Sequence, residues 1–133
     1  MRDKFDHARG WFRKAESDLT TGRRTLASDG PYDTACFHAQ QAAEKYLKGF
    51  LAFLEALQIP QTHNLEDLLN LCVALVPGWG IVGVDLTELT PYAVQLRYDF
   101  EFWPDPETAE KALNMAEQVR AAVLSVIPQK AHP

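Results

Sequence analysis

Apolar side chains recur at alternating intervals of three and four residues along most of this chain. The longest stripes run from Phe5 to Leu26 and from Ala35 to Leu57, and shorter ones begin near Leu65, Leu86 and Ala109. This spacing places each set of side chains on one face of an α-helix. No segment alternates convincingly with a period of two except Tyr98, Phe100 and Phe102, which we interpret as a helix end and a loop. The pattern therefore predicts a chain built from helices without a sheet.

Proline and glycine divide these stripes at positions that suit helix ends. Asp29-Gly30-Pro31 separates the first helix from a second one, which we predict from about Tyr32 to Gln58. Asn64 is the predicted N-cap of the third helix, and Asp105-Pro106 the predicted start of the last. The fourth helix is either kinked at Pro91 or begins there.

The length and composition of the chain suit one domain. The 133 residues, 47% of them hydrophobic, allow a core that buries about two-thirds of the surface of the unfolded chain. Short connections favour antiparallel neighbours, so we predict an all-α, antiparallel up-and-down helical bundle of about five helices in a single domain, residues 1–133. The net charge of −5 argues against general attraction to nucleic acid, although it leaves room for a local basic patch.

The cysteines and the apolar runs indicate the compartment. Cys36 and Cys72 both fall within helical apolar patterns, so we expect two buried thiols and no disulfide. The start of the chain has no apolar signal core, and no run approaches the roughly 18 apolar residues of a membrane helix. We therefore expect a cytoplasmic protein that does not associate with membranes. Without a His-x-x-x-His or Cys-x-x-Cys pattern, no metal site is expected.

The second helix carries a line of polar residues. His38, Gln41, Lys45 and Lys48 are spaced 3-4-3 and project along one side of the helix. Two lysines, an amide and a histidine can hold a phosphate or an acidic partner. The alternative is a solvated helix face in which Glu44 and Lys48 form an ordinary surface pair.

Two further segments are candidate sites. His63 lies just before the third helix, where it either contacts an anion held at the helix N-terminus or bonds to nearby backbone. Arg97 and Tyr98 open a run rich in aromatic residues, where the arginine can clamp a phosphate and the ring can stack on a base. The alternative is a surface pair of Arg97 with Asp99 or Glu101, with aromatic rings closing one end of the bundle.

Three motifs together resemble the HEPN domain (higher eukaryotes and prokaryotes nucleotide-binding). They are the block from Phe37 to Lys48, which contains Gln-Gln-Ala-Ala-Glu-Lys, then Thr62-His63-Asn64-Leu65, and then Arg97-Tyr98. Ser17-Asp18-Leu19 matches the Ala-Asp-Leu-like opening of that family. The resemblance covers nearly the whole chain. It implies an antiparallel helical bundle that commonly dimerises, often alongside a small nucleotidyltransferase in a toxin–antitoxin pair.

The resemblance also bears on catalysis. Some HEPN proteins are metal-independent ribonucleases that use an arginine followed four to six residues later by a histidine. Here Arg97 matches the arginine, but residues 101–103 are Glu, Phe and Trp, and the next histidine is His132. Asp99 also stands where similar members carry proline. This departure argues against catalysis, because a general acid or base is missing from the expected position.

We therefore hypothesise a HEPN-like protein that dimerises and binds a nucleotide, a minimal nucleotidyltransferase partner, or both. Its contacts would come from the polar residues named above, and no cofactor other than a bound nucleotide is expected. One alternative is a ribonuclease toxin that acts through Arg97 and an unrecognised base such as His63. Another is a non-catalytic homodimeric scaffold whose aromatic end forms the seam.

Overall fold

Five α-helices and one short 3-10 helix form the regular structure of the described residues, 3–79 and 85–133, in this computed structural model. The helices are α1 (Lys4–Ala27), α2 (Tyr32–Phe53), α3 (Leu65–Leu75), α4 (Tyr92–Tyr98) and α5 (Pro106–Leu124), followed by the 3-10 helix Gln129–Ala131. These residues contain no strand, so the prediction of an all-α fold is confirmed. The stretch Pro77-Gly78-Trp79-Gly80, followed by Gly83, predicts a loop, and it lies partly outside the described residues.

Helix α2 lies at the centre of the structure and contacts α1, α3, α4 and α5. Helices α1 and α2 run antiparallel, since Phe12 meets Gly49 while Gly22 meets Ala35. Two glycines allow α1 to pack closely on its neighbours, Gly49 at the contact with α2 and Gly22 at the contact with α5. A Cβ atom at Gly49 would lie 2.5 Å from a ring carbon of Phe12, and one at Gly22 would lie 2.6 Å from Leu113 of α5.

The helix starts follow the predicted capping residues. The side chain of Asn64 accepts a hydrogen bond from the backbone N–H of Asp67, at 3.0 Å, at the start of α3. Asp105 accepts from the N–H of Thr108 at 2.7 Å, with Pro106 as the first residue of α5. Pro91 precedes the first residue of α4, so the fourth helix begins there and is not kinked by it.

Helix α2 is shorter than predicted, because the chain reverses direction at Glu55. Glu55 adopts a positive φ of 55°, and the N–H of Ala56 donates to the carbonyl of Leu51 at 3.1 Å. This left-handed C-terminal cap ends the helix at Phe53 and leaves Leu57, which we assigned to the apolar stripe, fully exposed. Glycine usually occupies such a position, so Glu55 gave no visible stop signal.

The other expectations concern the core and the surface. Both cysteines are free and buried, as predicted, and burial raises the pKa of each thiol to about 12. No helix in the described part of the chain is long and apolar enough to cross a membrane. Within the same residues, no group of three or more histidine, cysteine, aspartate or glutamate side chains could hold a metal ion.

Candidate functional site

The polar residues of α2 form a partly buried, hydrogen-bonded surface. We call this surface the α2 polar face and define it by His38, Gln40, Gln41, Glu44, Lys45 and Lys48. Gln40, Glu44 and Lys48 are buried, and the other three are partly buried. The Glu44–Lys48 pair of the alternative interpretation does form, at 3.0 Å, but it is buried, so the face is not an ordinary solvated one. The polar groups are organised around two carboxylates, Asp18 and Glu44.

Asp18 of α1 joins two of the predicted site residues. Its carboxylate contacts Nδ1 of His38 at 2.8 Å and Nζ of Lys45 at 2.5 Å. Burial alone would raise the pKa of Asp18, but the hydrogen bonds and charges of His38 and Lys45 outweigh it and lower the pKa below the usual value. The resemblance to the Ala-Asp-Leu opening marked Asp18, but it gave no sign that this residue belongs to the site.

Asp18 should make stability depend on acidity. Because its pKa is lower in the folded protein than in the unfolded chain, its contribution is present above the unfolded pKa and is lost as pH falls through the folded pKa. We expect Asp18→Asn to lower the free energy of unfolding at neutral pH and to flatten its decline below about pH 4. Urea titrations at a series of pH values measure how the free energy of unfolding changes with pH.

The exposed Glu110 provides the matched control for this experiment, since it forms no ion pair within the described residues. Glu110→Gln should leave the stability at neutral pH close to that of the wild type. If Asp18→Asn retained the full acid dependence, the carboxylate of Asp18 would not be responsible for it.

Glu44 organises the second cluster. Its carboxylate accepts from Nζ of Lys48 at 3.0 Å and from Nε2 of Gln40 at 3.2 Å, and it contacts Nδ1 of His63 at 2.7 Å. Gln40 also donates to the backbone carbonyl of His63 at 3.0 Å, while Gln41 donates to the side-chain oxygen of Gln40 at 2.7 Å. These bonds fix the segment before α3 against α2.

The two clusters neutralise the lysines that the spacing had marked as anion ligands. Lys45 is paired with Asp18, and Lys48 with Glu44. A carboxylate at Nδ1 orients each histidine and directs Nε2 away from the pair, which is the arrangement that prepares an imidazole to exchange protons with a substrate. The side chain of His63 is 56% exposed, so its Nε2 can be reached from solvent.

Nearby side chains accept most of the backbone N–H groups at the N-terminus of α3. The N–H of Leu65 donates to Thr90, and the N–H of Asn64 donates to the hydroxyl of Thr62. The side-chain oxygen of Asn64 accepts a hydrogen bond from the backbone N–H of Asp67. His63 therefore contacts Glu44 of α2, and the start of α3 offers few free N–H groups to an anion.

Arg97 contacts the ring of Phe37, which in turn contacts the α2 polar face. Its guanidinium carbon lies 5.4 Å from the centre of the Phe37 ring, and that ring meets His38 edge-on at 5.5 Å. Neither of the predicted surface pairs of Arg97 forms: Asp99 instead accepts the backbone N–H of Glu101. Arg97 is exposed and has no carboxylate partner within residues 3–79 and 85–133.

The aromatic residues after Arg97 remain largely in solvent. The exposed fractions are 72% for Tyr98, 84% for Phe100 and 75% for Trp103. Only Phe102 turns inward, where it stacks on Tyr92. The run therefore presents rings at the surface next to Arg97, in addition to the single ring that closes the bundle. As predicted, Tyr98 to Phe102 form a helix end and a loop.

His132 does not supply the histidine missing after Arg97. Its Nε2 contacts the backbone carbonyl of Ile127 at 2.9 Å, beside the 3-10 helix that packs on α1. His38 belongs to the α2 polar face and His63 contacts its Glu44; both precede Arg97 in the chain.

Comparison with known proteins gives the same family as the sequence motifs. The crystal structure of TT1696 from Thermus thermophilus superimposes with a TM-score of 0.71 at 29% sequence identity, covering 91% of this chain and 98% of that one. No curated protein shows significant similarity. The HEPN domain model matches residues 8–126, and the chain therefore belongs to the HEPN domain family.

Proposed function

We propose that this protein binds a nucleotide at the α2 polar face, with the phosphate on Arg97 and the base against Tyr98. The nucleotide-binding or ribonuclease character of the family supports a ligand of this class. The observation that carries the proposal is the contrast between cations: Lys45 and Lys48 are bound to carboxylates, whereas Arg97 is exposed and unpaired among the described residues. A guanidinium with free N–H donors is well suited to a phosphate.

Removal of Arg97 tests the proposal. We expect Arg97→Ala to weaken ATP and AMP binding by about 10-fold to 100-fold, since hydrogen bonds to charged groups contribute about 1.5–3 kcal/mol. Isothermal titration calorimetry measures both affinities. Arg13→Ala is the matched control, because Arg13 is also an exposed arginine but lies on α1. A wild-type protein that binds neither nucleotide at millimolar concentration would contradict the proposal.

The geometry favours a ribonuclease as the second candidate function. The pairs Asp18–His38 and Glu44–His63 each hold an imidazole by Nδ1, which suits general acid–base catalysis even though no histidine follows Arg97 at the family spacing. RNA cleavage that is lost in both Arg97→Ala and His63→Ala would favour this candidate. Absence of cleavage across a range of RNAs would exclude it.

The proposal includes assembly as a homodimer and binding to a minimal nucleotidyltransferase, in a pair of the toxin–antitoxin type. The exposed rings of Tyr98, Phe100 and Trp103 support an interface, because solvent-exposed aromatic clusters commonly mark interaction surfaces. Co-expression with a minimal nucleotidyltransferase encoded beside it, followed by mass measurement of the intact complex, tests this part of the proposal. A chain that purifies alone in that experiment would rule out such a partner.

A further inference from the structure

A pocket of about 280 Å³ between α1 and α5 contains three arginines. Arg23 and Arg24 belong to the C-terminal half of α1, and Arg120 belongs to α5. Two carboxylates, those of Glu16 and Glu117, also line the pocket, so its charged side chains leave one net positive charge. We call this site the arginine pocket and define it by these five residues.

The arginine pocket lies apart from the α2 polar face. Glu16 and Asp18 are two residues apart on α1, which separates their side chains by about 200° around the helix axis. Asp18 accordingly contacts the α2 polar face, whereas Glu16 contacts Arg120 of α5. The two sites therefore lie on different sides of α1.

A buried hydroxyl and a carboxylate hold one of the arginines in place. Nε of Arg120 donates to a carboxylate oxygen of Glu16 at 2.5 Å, and the hydroxyl of Tyr46, a fully buried residue, donates to the same oxygen. These two bonds commit the carboxylate of Glu16, which reduces its repulsion of an incoming anion. Because Arg120 uses Nε for its bond, N–H groups on its terminal nitrogens remain for a ligand.

The other two arginines are held more loosely. Arg23 donates to the side-chain oxygen of Asn114 at 3.1 Å and lies 3.5 Å from a carboxylate oxygen of Glu117. Both side chains of this ion pair are more than a third exposed, so the pair contributes little to stability and a ligand can displace it. Arg24 is exposed, and its side chain has no hydrogen bond or ion pair within residues 3–79 and 85–133.

The distribution of charge along the chain favours an anion at this pocket. Helix α1 contains six lysine and arginine residues but only three aspartate and glutamate residues, although the net charge of the whole chain is −5. Positive charge is thus concentrated on one helix of an otherwise acidic protein. A local excess of this kind attracts anions that the protein as a whole would repel.

We propose that the arginine pocket binds a phosphate group without contacting a base. Guanidinium groups from two helices can share one phosphate, because each presents paired N–H donors that match its oxygens. None of the described residues that line the pocket is aromatic, so a base would have no ring to stack on. The phosphate comes either from a small polyphosphate or from the backbone of an RNA strand, since both present the same group.

Pyrophosphate binding to the Arg97→Ala variant tests this inference, because that variant lacks the guanidinium of the proposed nucleotide site. Isothermal titration calorimetry at low ionic strength should detect binding, since screening by salt is then weak. Adding Arg24→Ala or Arg120→Ala should weaken it about tenfold, because each removes hydrogen bonds to a charged group. Circular dichroism confirms that every variant is folded.

Lys14→Ala, made in the same Arg97→Ala background, is the matched control. It also removes one positive charge from an exposed position on α1, but Lys14 lines a different pocket. The affinity for pyrophosphate should therefore change by less than about twofold. Pyrophosphate that does not bind, or that Lys14→Ala weakens as much as Arg24→Ala does, would overturn the arginine pocket.

Competition with short oligouridylate and oligoadenylate identifies the source of the phosphate. Equal displacement of pyrophosphate by both would assign the pocket to an RNA backbone, and displacement by neither would assign it to a free polyphosphate. Displacement by only one of them would show that a base is recognised and would overturn the proposal. Comparison of ATP binding with and without Arg97→Ala in an Arg24→Ala background reports on the proposed nucleotide site alone, so the two sites can fail independently.

Discussion

Replacement of Glu44 by alanine should destabilise the protein by about 3–5 kcal/mol, the range seen when one partner of a buried ion pair is removed. The side chains of Glu44 and Lys48 are only 6% and 9% exposed, so water cannot readily replace the lost carboxylate around the ammonium. Gln40 and His63 lose a hydrogen-bond partner as well. Urea-induced unfolding followed by circular dichroism measures the change.

Two further variants separate the burial of this pair from the loss of a charge. Glu88→Ala removes the carboxylate from a pair with Lys111 in which both side chains are more than half exposed, and it should cost about 1 kcal/mol or less. The double variant Glu44→Leu with Lys48→Met removes both buried charges and should recover much of the stability lost in Glu44→Ala. Equal effects of Glu44→Ala and Glu88→Ala would show that solvent screens both pairs alike.

The sequence predicts the helices better than it predicts their ends. Apolar spacing identifies α1, α2, α3 and α5 because each helix buries one continuous face. The C-terminal end of α2 was missed because the left-handed turn uses Glu55 in place of glycine. Similarly, α5 ends at Leu124, whereas its apolar stripe continues to Val126, which is 46% exposed. In both cases the apolar pattern in the sequence extends beyond the C-terminal end of the helix.

The sequence predicts only part of the site, because periodicity describes one helix at a time. Helical spacing places His38, Gln41, Lys45 and Lys48 on one side of α2, but it does not indicate whether that side meets water or another helix. Asp18 belongs to α1, and only the packing of α1 on α2 brings it to Lys45. Tertiary contacts between distant residues are absent from any periodic signal, so the neutralisation of Lys45 by Asp18 could not be predicted. The pair of Glu44 with Lys48 follows from their spacing of four residues, but its burial does not.

This neutralisation changes which cations of the candidate site are available to the proposed ligand. With Lys45 and Lys48 committed to carboxylates, the face carries much less available positive charge than its lysines suggest. Under the proposed function, recognition of the anion would depend on Arg97, and the two histidines oriented by carboxylates would be the groups available for proton exchange. The clusters also link α1 and the segment before α3 to α2, so stability and site geometry rest on the same side chains.

Gly49→Ala should destabilise the protein by about 3 kcal/mol, at the upper end of the usual cost of overpacking. The new Cβ atom would lie 2.5 Å from one ring carbon of Phe12 and 2.9 Å from Cβ of Trp11. The fully buried Phe12 ring stacks on Tyr46, and Cβ of Trp11 is fixed to the backbone. Because neither group can rotate away, α1 and α2 must move apart, which disturbs Asp18 and its contacts as well.

The same substitution at Gly10 is the matched control. Both residues lie inside long helices, so alanine gains the same helix propensity at each, about 0.5–1 kcal/mol. At Gly10 the added methyl group meets open space, and Gly10→Ala should therefore stabilise the isolated protomer. Thermal unfolding at a concentration low enough to keep the chain monomeric compares the two variants. If Gly49→Ala were as stable as Gly10→Ala, the contact between α1 and α2 would be looser than the distances around Gly49 require, and the position of Asp18 beside Lys45 would lose its structural basis.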